Sequence, residues 1–242
     1  MADVMGRIHS VETFGALDGP GIRYVLFLQG CSLRCAYCHN PDTWNREEGK
    51  IITASEVIED ILKYKSFIKN GGVTLSGGEP LLQPEFCLEI IHRCHKQGIS
   101  VAVDTAGGAE FERSYEVLLK SDLVLLDIKA LEETVCKELT GKSNQMSLRM
   151  LRYCEANQKD VWIRHVLVPG FTLNREKLLS LAEFLKGFSC IKRIELLPYH
   201  KMGEYKWEYM GLTCFLKETK EPCEEDVVKA KAIFKNLGFF VV

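Results

Sequence analysis

The sequence predicts an α/β fold: a single-domain partial (β/α)6 barrel, its six parallel strands curved and left with an open lateral gap. Three observations predict it. Six short runs are rich in Val, Ile and Leu with little alternation, as parallel strands buried on both faces require. Amphipathic helical patterns separate these runs in β-then-α order. Eight strands would fill a closed barrel, whereas six leave a sheet open at the side. The 242 residues, 46% hydrophobic and 26% charged, suit one such unit, so residues 1–242 are expected to form one domain.

The strands are expected at 22–29 (IRYVLFLQ), 72–76 (GVTLS), 99–105 (ISVAVDT), 123–129 (LVLLDIK), 161–169 (VWIRHVLVP) and 191–199 (IKRIELLPY). A last run, FFVV at 239–242, reads as a short edge strand. Between them, Thr53 with Glu56 makes a capping box that opens a helix carrying Val57, Ile61, Tyr64 and Ile68 on one face. Pro84 suits the first turn of the next helix, whose buried stripe is Cys87, Ile90, Ile91 and Cys94, and Gly98 stands at its C′ position. Further helices are expected near 110–120, 131–139, 145–157, 174–186 and 223–236. No linker, low-complexity segment or near-identical repeat interrupts the series.

Composition excludes several classes of function. The formal charge of −2 leaves no basic footprint for nucleic acid. No window approaches ~18 uninterrupted apolar residues, so no membrane span is expected. The opening MADVMGRIHS has no apolar signal region, which leads to the expectation of a cytoplasmic protein. Ten cysteines in such a chain point to ligands, catalytic thiols or core residues rather than disulfides. Cys87, Cys94, Cys136, Cys154, Cys190, Cys214 and Cys223 stand apart from one another and are read as small apolar core residues.

The other three cysteines are clustered in CSLRCAYCHN, residues 31–40. From Cys35 the letters spell C-x-x-C-H, a c-type haem signature, but that reading needs export and leaves Cys31 unexplained. Structural zinc wants a closed set of four ligands, usually two separated pairs, and His39 adjoins Cys38 too closely to complete a tetrahedron. A thioredoxin-like pair of Cys35 and Cys38 also ignores Cys31. An iron–sulfur cube fits best, taking one thiolate per iron and leaving one iron without a protein ligand. An open coordination position implies chemistry at the metal, as it does in catalytic zinc sites.

Parallel α/β folds build their sites at the carboxyl ends of the strands. The cysteine loop, SGGEP (76–80), DTAGG (104–108), DIK (127–129) and YH (199–200) all fall at such ends, with Arg164 and His165 inside the fifth strand. Gly77 and Gly78 permit close backbone approach to a ligand, and Glu79 could face an ammonium group. Lys129 and His200 could meet a carboxylate, and Asp127 could accept bonds from ribose hydroxyls or face a cation. An amino acid chelating iron through its amine and carboxylate would use all of them.

These residues carry a resemblance. C-x-x-x-C-x-x-C after the first strand, then G-G-E after the second, resembles the signature of radical S-adenosylmethionine enzymes. DGPGIR (18–23), CHNPDTW (38–44), SGGEP, DIK and ELLPYHKMGEYKW (195–207) narrow it to glycyl-radical-enzyme activases of the pyruvate formate-lyase type. The resemblance implies that Cys31, Cys35 and Cys38 hold a [4Fe-4S] cluster and that S-adenosylmethionine chelates the open iron. It implies cofactor contacts at Tyr37, Cys38, His39, Gly77, Gly78, Glu79, Asp127, Ile128, Lys129 and His200. A monovalent cation, Na+ or K+, is implied near Asp104, Thr105 and Asp127. Ala106 departs from the pattern, where Asn or Ser is expected.

The implied reaction begins with reduction of the cluster by flavodoxin or ferredoxin. Cleavage of the C5′–S bond of S-adenosylmethionine then gives methionine and a 5′-deoxyadenosyl radical. That radical takes a hydrogen from the α-carbon of a backbone glycine in the protein substrate, pyruvate formate-lyase. The enzyme itself is expected to be a monomer. Several such activases carry an inserted ferredoxin-like segment, but residues 45–71 contain no cysteine and read as one capped helix. The alternatives are an activase of anaerobic ribonucleotide reductase or another glycyl radical enzyme, and, in another class, a non-enzymatic iron–sulfur electron-transfer or zinc-binding protein.

Overall fold

The computed structural model describes residues 3–242. By Cα packing they group into two compact units: residues up to Ser32 with Thr43–Leu125, and Leu33–Asp42 with Leu126–Val242. The first unit holds β1 (Met5–Gly15), β2 (Arg23–Leu28), β3 (Lys50–Thr53), α1 (Ala54–Lys63), β4 (Gly72–Gly77), α2 (Pro84–Lys96), β5 (Val101–Thr105) and α3 (Phe111–Lys120). β6 (Leu123–Asp127) runs across the division. The second unit holds α4 (Glu133–Thr140), α5 (Gln145–Ala156), β7 (Val161–Leu167), α6 (Arg175–Leu185), β8 (Ile191–Pro198), α7 (Glu204–Tyr209) and α8 (Glu224–Asn236).

The strands form one sheet in the order β3-β1-β2-β4-β5-β6-β7-β8, which has two ends and is not closed into a barrel. β2, β4 and β5 are parallel neighbours, as are β7 and β8. All six expected strands form. Val25, Leu26, Val73, Leu75, Val101, Val103, Val124 and Leu125 are fully buried, which is why their runs read as continuous rather than alternating. Val241 bridges Ile194 beyond β8, so the C-terminal run is a short edge, as expected.

β1 and β3 add to the expected set. β1 pairs antiparallel with both β2 and β3, and its residues alternate between buried and exposed over much of its length. Such a strand needs few apolar residues, so its sequence gives little signal.

α1 opens as expected: Thr53 Oγ1 accepts from Glu56 N at 3.2 Å, and Glu56 Oε2 accepts from Thr53 N at 2.8 Å. It closes at Lys63 with Tyr64 as its cap, so Ile68 reaches the core from the following turn and not from the helix. α2 ends with Gly98 at φ +68°, the left-handed conformation that glycine adopts without steric cost.

The isolated cysteines divide. Cys87, Cys94, Cys136, Cys154 and Cys190 are buried, and burial pushes the Cys94 and Cys154 thiols up to about 12. Cys214 is only partly buried and Cys223 is exposed, against the expectation that all seven lie in the core. Both belong to residues 210–223, which lie between α7 and α8 and form no helix or strand.

Glu79 ties the loop after β4 to the loop after β5. Its Oε1 accepts from Thr105 Oγ1 at 2.7 Å and Leu81 N at 3.2 Å. Its Oε2 accepts from Gly108 N at 2.8 Å and Ala106 N at 3.1 Å. The side chain is buried, so no water can replace these bonds. Glu79→Gln would turn an NH2 group toward one pair of donors. It should lower unfolding free energy in urea by about 2–4 kcal/mol, since each buried polar group left unpaired costs roughly 1–3. Stability equal to the parent chain would show that the loop is held by other means.

His165 is buried in β7, and its Nδ1 donates to Ile128 O at 2.6 Å, which leaves Nε2 without the proton of the neutral ring. Burial pulls its pKa below 6.5, against the opposing effects of the Ile128 hydrogen bond and Asp127. Between the folded and unfolded pKa values the unfolded chain binds more protons, so stability rises with pH through that window and falls as pH drops below about 6.5. Urea titrations from pH 7.5 to 5 should show a shallower acid loss for His165→Gln than for the parent chain. Identical slopes would mean that His165 titrates alike in both states.

Candidate functional site

The cysteine loop is shaped by the protein at several points. At its start, Gly30 N donates to Thr43 O at 2.7 Å and Cys31 N to Trp44 O at 3.3 Å. Ser32 Oγ donates to Gly108 O at 2.5 Å. In the second unit, Arg34 N donates to Thr140 O at 2.8 Å and Ala36 N to Leu139 O at 2.7 Å, the carbonyls at the end of α4. Ala36 is buried in an apolar cluster with Ala130, Val135, Leu139, Val168, Tyr199 and Leu216. Cys38 N closes a turn onto Cys35 O at 3.0 Å, and Trp207 Nε1 donates to Cys38 O at 2.8 Å.

Cys31, Cys35 and Cys38 are each half-buried and none is in a disulfide. They differ in this from the five buried core thiols. Among the described residues no group of three or more His, Cys, Asp or Glu stands in a ready-made metal-binding arrangement. The fit of an iron–sulfur group therefore rests on the donor set and on the surroundings of the loop.

The glycines after β4 belong to those surroundings. Gly77 has φ +109°, and a Cβ there would collide with the Leu28 backbone. A Cβ on Gly78 would collide with the Gly30 carbonyl and stand 3.2 Å from Cys31 Cβ. Gly78 N donates to Leu28 O at 2.9 Å and Glu79 N to Gly30 O at 2.8 Å. The glycine pair thus lets the β4 loop lie directly against the first cysteine. Glu79, expected to face an ammonium group, has its carboxylate on four donors of residues 81–108. Burial pushes its pKa up, while the bonds from Gly108, Thr105, Leu81 and Ala106 work the other way.

Asp104 Oδ2 accepts from Ser76 Oγ at 2.8 Å, so the ends of β4 and β5 are joined through side chains. Thr105 Oγ1 donates to Glu79 and accepts from Gly107 N at 3.0 Å. Ala106 contributes its backbone N–H to this loop, through the bond to Glu79 Oε2.

In the second unit the structure brings Tyr37, His39, Asp127, Lys129 and His200 into contact-linked groups. Lys129 Nζ pairs with Asp127 Oδ2 at 2.8 Å and lies 5.6 Å from the centroid of the Tyr37 ring. Burial works against the Lys129 charge, but Asp127 and Tyr37 more than offset it, so its pKa lies well above the usual lysine value. The His39 and His200 rings stack with centroids 4.2 Å apart, and His39 Nε2 faces His200 O at 3.3 Å. Burial, then the His200 ring, holds the His39 pKa down.

The Tyr37 hydroxyl and His200 Nδ1 are buried polar atoms with no hydrogen-bond partner. Buried polar groups of this kind are paired by water, an ion or a ligand. Ile128, between Asp127 and Lys129, is fully buried, with its N–H on Arg164 O and its carbonyl accepting from His165 Nδ1.

Sequence reasoning missed Glu195, Lys206 and Trp207. Parallel register sets Arg164 opposite Glu195, and Nε pairs with Oε2 at 2.9 Å in a buried ion pair. The signal for Lys206 and Trp207 was the motif HKMGEYKW itself, whose last two letters had no assigned partner.

The family model of the radical SAM superfamily matches residues 25–182. A pyruvate formate-lyase-activating enzyme of Clostridium pasteurianum is 45% identical over 236 residues, covering 97% of this chain and 99% of the relative. One from Staphylococcus aureus is 42% identical over 243 residues, covering 97% of this chain and 96% of the relative. The crystal structure of a domain of such an enzyme from Bacteroides vulgatus superposes with a TM-score of 0.60 at 32% identity, covering 71% of this chain and 98% of that one. Streptococcus suis SuiB bound to S-adenosylmethionine superposes with a TM-score of 0.68 at 19% identity, covering 88% of this chain and 48% of that one, which shows a shared fold. The chain belongs to the radical SAM superfamily and, within it, to the family of the pyruvate formate-lyase-activating enzymes.

Proposed function

We propose that this chain generates the glycyl radical of pyruvate formate-lyase, with reduced flavodoxin or ferredoxin as its electron donor. The observation that carries the reading is the half-buried Cys31–Cys38 loop in a chain that matches relatives of that name along 97% of its length. The segment between Trp44 and Gly72 holds only β3, α1 and turns, which supports an activase without an inserted cluster domain.

When bound, a [4Fe-4S] cluster and S-adenosylmethionine together supply a 5′-deoxyadenosyl radical able to take a hydrogen from a glycine α-carbon. The chain's own residues hold and orient these groups. Cys31, Cys35 and Cys38 provide three thiolates on a loop fixed by backbone hydrogen bonds. Gly78 keeps the space beside Cys31 clear of side-chain bulk. Lys129, kept charged by Asp127, offers a cation to a carboxylate, and the Tyr37 hydroxyl and His200 Nδ1 offer polar atoms that the protein leaves unpaired. A monovalent cation, Na+ or K+, at the Asp104–Thr105 end of β5 belongs to the same reading; replacing both ions by a bulky organic cation should weaken cofactor binding.

Anaerobic reconstitution should load about four irons and four sulfides per chain, as one cube requires. Mixing with pyruvate formate-lyase, S-adenosylmethionine and reduced flavodoxin should then give the EPR doublet of a glycyl radical. Ala at Cys31, Cys35 or Cys38 should abolish the doublet, whereas Cys154→Ala should keep it. Stoichiometric zinc, or a doublet that appears only with another glycyl radical enzyme, would overturn the reading.

A further inference from the structure

Segments 38–42 and 200–207, both in the second unit, are joined by contacts that the proposed chemistry does not itself require. Trp207 is buried on α7 and its Nε1 donates to Cys38 O at 2.8 Å. Its neighbour Lys206 uses one ammonium on three acceptors: Asn40 Oδ1 at 2.8 Å, Asp42 Oδ2 at 2.9 Å and Asp42 Oδ1 at 3.2 Å. An ammonium has three protons, so its donors are all engaged. Gly203 lies directly under His39, where a Cβ would stand 2.7 Å from His39 Cα and 3.0 Å from its Cδ2. The His39–His200 stack completes the set.

Every residue from Cys38 to Asp42 except Pro41 is thus gripped by the chain just before or within α7. Backbone turns alone do not require this. Cys38 is already fixed to Cys35 by a turn, and a surface loop ending in Asn-Pro-Asp could otherwise be solvated. A tryptophan N–H spent on the carbonyl of a ligand cysteine, beside a lysine spent on the next two polar side chains, is the pattern of outer groups that orient a ligand set.

We propose that Lys206 and Trp207 are positioning residues, which fix Cys38 and His39 so that S-adenosylmethionine meets a preformed surface. This inference rests on the reading of the loop as the cluster and cofactor site. With the grip lost, the three thiolates can still collect iron, because the backbone bonds of Gly30, Cys31, Arg34 and Ala36 and the Cys38–Cys35 turn still hold the loop. What is lost is the orientation of His39 and the Cys38 carbonyl, which the cofactor would then have to restore from its own binding energy.

The test uses the full chain, reconstituted anaerobically, with Trp207→Phe, Lys206→Met and Lys206→Arg. Phe retains the ring packing and removes only the N–H. Iron content should stay near that of the parent chain. Titration of the reduced cluster with S-adenosylmethionine, read by the change in its EPR spectrum, should give binding weaker by about tenfold for Trp207→Phe and Lys206→Met. Lys206→Arg should recover most of that loss, and the thermal midpoints of the iron-free chains should agree with the parent. Parent-like titration curves for both Trp207→Phe and Lys206→Met would overturn the inference while leaving the proposed function intact. Loss of iron or of thermal stability, with no recovery in Lys206→Arg, would assign the two residues a structural role and overturn it equally. A parent chain that takes up no cluster would overturn the functional reading as well.

Discussion

A short loop that carries three thiols keeps them on one side only if its backbone is held. Four ligands would close a site and define their own geometry, but three need a protein scaffold to face one way. Here that scaffold is mostly backbone. The carbonyls of Thr43, Trp44, Thr140 and Leu139 each receive an N–H from the loop, and Ala36 is driven into the apolar cluster beneath it. The small side chain of Ala36 permits that depth, and the neighbouring Tyr37 packs against the same cluster. Gly78 lies against Cys31 in the first unit, and in the second Trp207 and the His39–His200 stack hold the Cys38 end of the loop.

Charge is handled in two different ways on the two sides of the division between units. In the first, the carboxylate of Glu79 is consumed by four donors and acts as a clamp. In the second, the Asp127 carboxylate pairs with Lys129 across two residues and keeps the ammonium charged despite burial. The distinction has chemical consequences. A saturated carboxylate fixes a loop and offers little to a ligand, whereas a single ion pair can exchange partners when a zwitterion arrives.

Much of this was legible in the sequence because burial on both faces writes itself as unbroken apolar runs. β2, β4, β5, β6, β7 and β8 lie within a few residues of where those runs place them. β1 escaped because a strand with an exposed face mixes His, Ser and Glu among its apolar residues, and α7 because six residues make too short a period to detect. The cysteine spacing and the glycine pair are the letters on which the expectation of a site rests. The role of Glu79 did not follow, since three of its four donors are the backbone N–H groups of Leu81, Ala106 and Gly108, which no side-chain letter reports. Lys206 and Trp207 were visible as letters but not as partners of Asn40, Asp42 and Cys38, because more than 160 residues separate them in the chain.

The central claim is that the fourth coordination position belongs to the amino-acid end of S-adenosylmethionine. The direct measurement is electron–nuclear double resonance on the reduced, reconstituted chain with cofactor labelled with nitrogen-15 at its amino group. The account predicts a hyperfine coupling from that nitrogen to the cluster, absent when the label is placed in the adenine ring. No coupling from the amino nitrogen, with a protein side chain found on the fourth iron while cofactor is bound, would contradict it.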